Sequence, residues 1–195
     1  MDAVLVAIYL VLRFGFDAQL EALNPWSMYL IEVVLVGVSI GKYRAGFKTL
    51  LNFPYRLIMY SLLAMFAGLV SAYGAIAIGL PIPFDTSAMS GVAMLLLVAP
   101  ILEEGVFRFF LWWPFERRNK PTWAWGFTTL CFSYAHWHAA WTVPVEWQGF
   151  LAYQTCYTLV LGLACGAAVY FLRSLTGAIL LHFAFNLGFF ITLCF

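Results

Sequence analysis

The sequence predicts an all-α fold, a multi-pass transmembrane helix bundle with about seven membrane segments. Composition is the first reason. Of 195 residues, 64% are hydrophobic, 19% aromatic and only 10% charged, outside the range of soluble domains of this size. Spacing is the second, because the apolar residues fall into seven runs joined by short polar or Pro-containing stretches. Charge sorting is the third. Lys42, Arg44, Lys48, Arg56, Arg117, Arg118, Lys120 and Arg173 fall on one side of an alternating chain, against Arg13 alone on the other. That bias is the positive-inside pattern, with the N-terminus cytoplasmic and the C-terminus outside.

Residues 3–14 form the first run, short for a span and therefore expected to tilt or lie partly at the interface. Dropping it leaves the remaining loops on the same sides. Asp2 stands where a cleaved leader would carry basic residues, so this helix is expected to be retained. The second run, 26–40, carries Glu32, which can either support a site or snorkel to the outer face, the second being expected. The third, 57–80, follows the basic loop and is closed by Pro81 and Pro83. The fourth, 89–115, carries the acidic motif considered below and ends at a basic stretch before Pro121. The fifth is 123–141, the sixth 150–172, and the seventh 175–195, entered through Arg173 and Ser174. With no repeat, linker or low-complexity tract, residues 1–195 read as a single integral membrane domain, with the chemistry in 89–195.

Several functions fall away. A net charge of +1 without a basic tract argues against nucleic acid as a partner. Cys131, Cys156, Cys165 and Cys194 are scattered through apolar runs, neither a disulfide framework nor a metal site. The pairs Gly37/Gly41 and Gly162/Gly166 have the spacing of close helix contacts and need no functional meaning.

The stretch from Pro100 to Arg108 sets Glu103, Glu104 and Arg108 inside an apolar run. Charges at membrane depth are costly and mark a functional site by default. Adjacent helical residues project about 100° apart, so both glutamates can face one cavity from neighbouring angles. Arg108 follows Glu104 by one turn in the favourable acid-then-base order. Pro100 predicts a kink just before the carboxylates. A buried ion pair accounts for Glu104 and Arg108 but leaves Glu103 without a partner.

Two further runs carry polar groups at depth. His182 and Asn186 are one turn apart and share a helix face. His136 and His138 project about 200° apart, so only one can face a given cavity; His138 is assigned to the interface. At ~1.5 Å per residue from the basic end, Glu103 lies ~15 Å in, His136 ~20 Å, His182 ~10 Å and Asn186 ~16 Å. The four can meet near the midplane, somewhat toward the cytoplasm, where a substrate would enter from the inner side.

A carboxylate beside an imidazole can hold a water and take its proton, and a second imidazole with an amide can donate to a developing oxyanion. That set suits amide hydrolysis without a covalent nucleophile. No H-E-x-x-H is present, and Ser90-Gly91, at a helix end, is the only approach to a glycine-flanked serine. Two carboxylates and two imidazoles also permit a metal-dependent version of the same hydrolysis, although their spacing is loose for zinc. A proton-coupled transporter would use the same groups, but the Gly/Pro-broken paired helices and inverted repeat that favour one are absent from the sequence. A two-histidine haem protein is the remotest reading.

Glu103-Glu104-x-x-x-Arg108, Phe132-x-x-x-His136 and His182-x-x-x-Asn186 resemble, in order, the three motifs of the CPBP (Abi) family of membrane endopeptidases. That family includes CAAX-processing and bacteriocin-processing proteins. The resemblance covers roughly residues 89–195. It implies a glutamate-type intramembrane protease with no cofactor and no metal. In it Glu103 and His136 would activate water, His182 and Asn186 would stabilise the oxyanion, and Glu104 and Arg108 would hold the site. The implied partners are the lipid bilayer and a membrane-associated protein substrate, lipidated, leader-bearing or carrying a C-terminal sorting tag. The minimal length suggests a prokaryotic cytoplasmic membrane.

Overall fold

The computed structural model describes residues 2–141 and 143–195. Helix α1 (Asp2–Gly15) meets α2 (Asp17–Leu23) at a 76° bend. Then come α3 (Ser27–Lys42), α4 (Arg44–Leu50) and α5 (Arg56–Ala77). The fourth run is broken into α6 (Met89–Ala93), a π turn at Met94–Val98, α7 (Ala99–Gly105), a second π turn at Val106–Phe110 and α8 (Trp113–Glu116). α9 (Pro121–His138) ends in a 3₁₀ turn at Ala139–Trp141, and α10 (Val145–Leu172) and α11 (Leu175–Cys194) complete the chain. Among the described residues every element is helical, apart from one isolated bridge between Leu51 and Ser174.

Helix occupies all seven predicted runs, and three or four of the helical stretches meet the length and apolarity of a membrane span on their own. Among the described residues, α5, α10 and α11 are long and apolar enough to span, and the bent α1–α2 pair would be a fourth. The other runs fall short of that length and apolarity for local reasons. α3 is 16 residues long, the fourth run is interrupted at its π turns, and α9 carries Thr128, Thr129, Ser133 and His136 along its length.

One end of the bundle gathers its charges. Lys42 and Arg117 both pair with Asp2, and Arg173 pairs with Glu116 at 2.6 Å. Ser174 donates to the Asn52 carbonyl at 2.6 Å, and Asn52 to that of Leu172 at 3.1 Å. The ends of α1 and α9 and the starts of α3 and α10 therefore lie at the opposite end.

α5 and α11 pack backbone to backbone. A Cβ at Gly68 would stand 2.0 Å from the Phe185 carbonyl oxygen, and one at Gly188 1.9 Å from that of Met65. This is the small-residue contact of membrane helices. Of the two predicted pairs, Gly162 and Gly166 also sit close to a neighbouring helix, where a Cβ would stand 3.1 Å from Phe132 and 2.3 Å from Trp125. Gly37 and Gly41 have nothing within 4 Å and line an open face. Ile58, Met59, Leu62, Phe66 and Val70 of α5 are exposed, an apolar surface of the size that marks contact with a membrane.

Candidate active site

Pro100 shapes the site through the backbone. It has no N–H, so one carbonyl in the preceding turn must lose its helical donor. The chain responds with the π turn, in which the Ala99 N–H reaches back to the Met94 carbonyl instead of that of Leu95. A π bond to Leu95 would need the N–H that Pro100 lacks. The Leu95 carbonyl is answered from another helix: Asn186 Nδ2 donates to it at 2.8 Å. The predicted kink is thus a widened turn locked by α11.

Behind the wall of the site, Glu104 and Arg108 are fully buried, with Nε 3.3 Å from Glu104 Oε2. Arg108 donates to Thr128 Oγ1 at 3.1 Å and to the Gly162 carbonyl at 3.0 Å, and its guanidinium lies 5.4 Å from the Phe132 ring centre. A Cβ on Gly162 would stand 3.3 Å from that guanidinium and 3.1 Å from the Phe132 ring. The glycine that reads as mere helix packing therefore lets α10 offer its carbonyl to Arg108. Satisfying a buried cation on three helices is what makes it tolerable.

Glu104 passes this order to α11. Its Oε1 lies 2.9 Å from His182 Nδ1. A carboxylate only accepts, so Nδ1 carries the hydrogen and Nε2 is left facing Glu103 Oε2 across 3.9 Å. On α9, His136 Nδ1 lies 2.9 Å from the Phe132 carbonyl. The same reasoning places the hydrogen on Nδ1 and leaves Nε2 as a free lone pair.

Glu103, His136, His182 and Asn186 line one cavity of about 310 Å³, with Tyr157, Thr158 and Phe189 among its walls. Glu103 Oε2 is buried there without a hydrogen-bond partner. A second cavity of about 450 Å³ shares Tyr29, Phe84, Glu103, His136 and Gln154 and continues to Arg13, Asp17, Glu21 and Pro25. Its polar mouth lies at the end of the bundle opposite the basic cluster. Residue depth along single helices places the site nearer the basic end, whereas this polar lining runs toward the other end.

Glu32 also departs from expectation. It does not snorkel outward but is buried, accepts from the Tyr9 hydroxyl at 3.0 Å and lines the larger cavity with Glu103. His138 stands apart from both cavities, against the rings of Phe14 and Tyr134. All four cysteines are free, with Cys165 buried near the Ala178 carbonyl. Among the described residues, no three His, Cys, Asp or Glu side chains converge as ligands for a metal ion. Glu32 was open to discovery by the rule that exposed Glu103; Thr128, Gly162 and Leu95 carry no such signal.

The family model described as Type II CAAX prenyl endopeptidase Rce1-like matches residues 85–188, more than half of the chain and all six predicted site residues. No curated protein matches the chain, and no solved structure does.

Proposed function

The chain belongs to the Type II CAAX prenyl endopeptidase Rce1-like family, and from that premise we propose that it is an intramembrane endopeptidase using a glutamate-activated water. The observation that carries the proposal is the unpartnered Glu103 oxygen in a cavity shared with His136. A water has two hydrogens, and Glu103 with His136 Nε2 offers two acceptors. Held by both, its lone pair is left for the substrate carbonyl, and Glu103 takes the proton as general base.

The developing oxyanion is met from α11. Asn186 has two amide hydrogens and spends one on Leu95, so the second is free to donate. His182 gives its Nδ1 hydrogen to Glu104, so donation from Nε2 requires the imidazolium, whose charge the flanking carboxylates balance. Glu104 and Arg108 are positioning residues. They hold the His182 ring in one orientation.

The substrate is a membrane-associated protein segment cleaved at bilayer depth. The enzyme spans the membrane about seven times with its basic end in the cytoplasm, its short and broken helices completing spans that composition alone does not certify. The reaction proceeds without metal. Membranes from cells making the wild-type protein or Glu103→Gln are the test, by mapping protein N- and C-termini. New paired termini should appear with the wild type and vanish with the variant; identical termini in both would end the proposal.

A further inference from the structure

At the basic end, a pocket of about 490 Å³ lies where the end of α3 and the start of α4 meet α8. Lys42, Tyr43, Arg44, Gly46, Trp113 and Arg117 line it. Lys42 and Arg117 share a single counter-ion, since both pair with Asp2, and Arg44 makes no ion pair among the described residues. Three cations against one carboxylate leave two positive charges at the pocket.

The aromatic floor is equally incomplete. Tyr43 and Trp113 pack with ring centres 5.4 Å apart, and Lys42 and Arg117 lie over Tyr43 at 5.2 and 5.7 Å. The Tyr43 hydroxyl sits near Asp2, Lys42 and Arg117. The Trp113 indole N–H, by contrast, is buried without a partner. Buried polar groups are nearly always satisfied, so an unanswered indole N–H beside surplus positive charge points to an absent acceptor. The seating of Trp113 is built in: a Cβ on Gly46 would stand 1.8 Å from its ring.

We propose that this pocket binds the phosphate headgroup of an anionic membrane phospholipid. A phosphodiester supplies the missing negative charge and acceptor oxygens, for which Arg and Lys are the ordinary recognition groups. A lipid is favoured over free phosphate by what rises from the pocket. Val34, Gly37, Val38 and Gly41 follow a helical stripe on α3 that ends beside Lys42. The valines are exposed and both glycines have open space around them. That exposed stripe is a surface along which an acyl chain can lie, leading to a site for its headgroup. The inference does not depend on the catalytic reading.

The test is native mass spectrometry of protein released from nanodiscs of mixed phosphatidylcholine and phosphatidylglycerol. The wild type should keep one phosphatidylglycerol in preference to phosphatidylcholine. Arg44→Gln should reduce that retention about fivefold, the scale of one cation near an anionic headgroup. Trp113→Phe, which keeps an aromatic ring but removes the indole N–H, should reduce it as well. Equal retention of both lipids by the wild type, or unchanged retention in both variants, would overturn the site. Inorganic phosphate raising Tm in zwitterionic detergent as strongly as phosphatidylglycerol would overturn the lipid assignment.

Discussion

Asn186 Nδ2 donates to the Leu95 carbonyl across 2.8 Å, and this bond joins the helix bearing His182 to the turn that precedes Glu103. The residue proposed as an oxyanion donor is therefore also a structural lock. The two uses do not compete, because they take different hydrogens of one amide. They do couple. An Asn186 held by Leu95 can present its second hydrogen in only one direction, which is the preorganisation that makes such a donor effective.

Asn186→Ala should accordingly show two effects. Loss of one oxyanion donor lowers kcat by about 10²–10³, and stranding the Leu95 carbonyl destabilises by about 1–3 kcal/mol. Pro100→Ala separates them. It restores an N–H to the turn, so the helix can close without Asn186. Tm should hold or rise while kcat falls, because Glu103 rotates away from its water. Equal activity in Pro100→Ala and wild type would show that the π turn has no part in catalysis.

The candidate site was largely legible in the sequence because polar groups inside apolar runs stand out. Glu103, Glu104, Arg108, His136, His182 and Asn186 fall on the elements expected, and the structure gathers four of them, from three helices, around one cavity. The packing was less legible. α3 buries Met28, Glu32 and Ser39 while exposing Val33, Val34 and Val38, the reverse of a water-soluble helix. Lipid is as apolar as a protein interior, so hydrophobicity could not say which face of α3 turns inward, and Glu32 was sent the wrong way. The π turn at Met94–Val98 is uniformly apolar and announced only by Pro100. The partners of Arg108 on α9 and α10 are long-range contacts that no local pattern encodes.

Arg108→Ala should fail differently from the residues that touch substrate. It leaves Glu104 buried without its cation, a loss on the scale of 3–5 kcal/mol, about that of a broken buried pair. Yield and Tm in detergent should drop along with activity. Arg108→Lys should not rescue, because one ammonium cannot reach Glu104, Thr128 and the Gly162 carbonyl together as the guanidinium fork does. A Lys variant with wild-type Tm and kcat would show that only the charge matters.

Topology has a direct test. A reporter fused after Arg118 should report cytoplasm and one after Phe195 the outside, by the loop charges. Glu21→Cys, at the exposed mouth of the larger cavity, should react with a membrane-impermeant maleimide added to intact cells. Both reporters on one side would overturn the alternating arrangement. Glu21→Cys labelling only after lysis would place the mouth in the cytoplasm.

The division of labour around the water is the most exposed part of the proposal. Glu103→Gln keeps shape but removes the base, so cleavage of the mapped substrate should fall to near background with Tm unchanged. His136→Ala should do nearly the same, since the water loses its second acceptor. His138→Ala should be almost silent in turnover, because that ring packs on Phe14 and Tyr134 outside both cavities. Full activity should survive exhaustive chelation, with zinc far below stoichiometric by elemental analysis. These outcomes separate the two hydrolytic readings. A metal enzyme would lose activity on chelation and regain it on metal return, whereas a glutamate enzyme would not respond. If Glu103→Gln turns over at a near-normal rate, or His138→Ala is as damaging as His136→Ala, the water is held somewhere other than between Glu103 and His136.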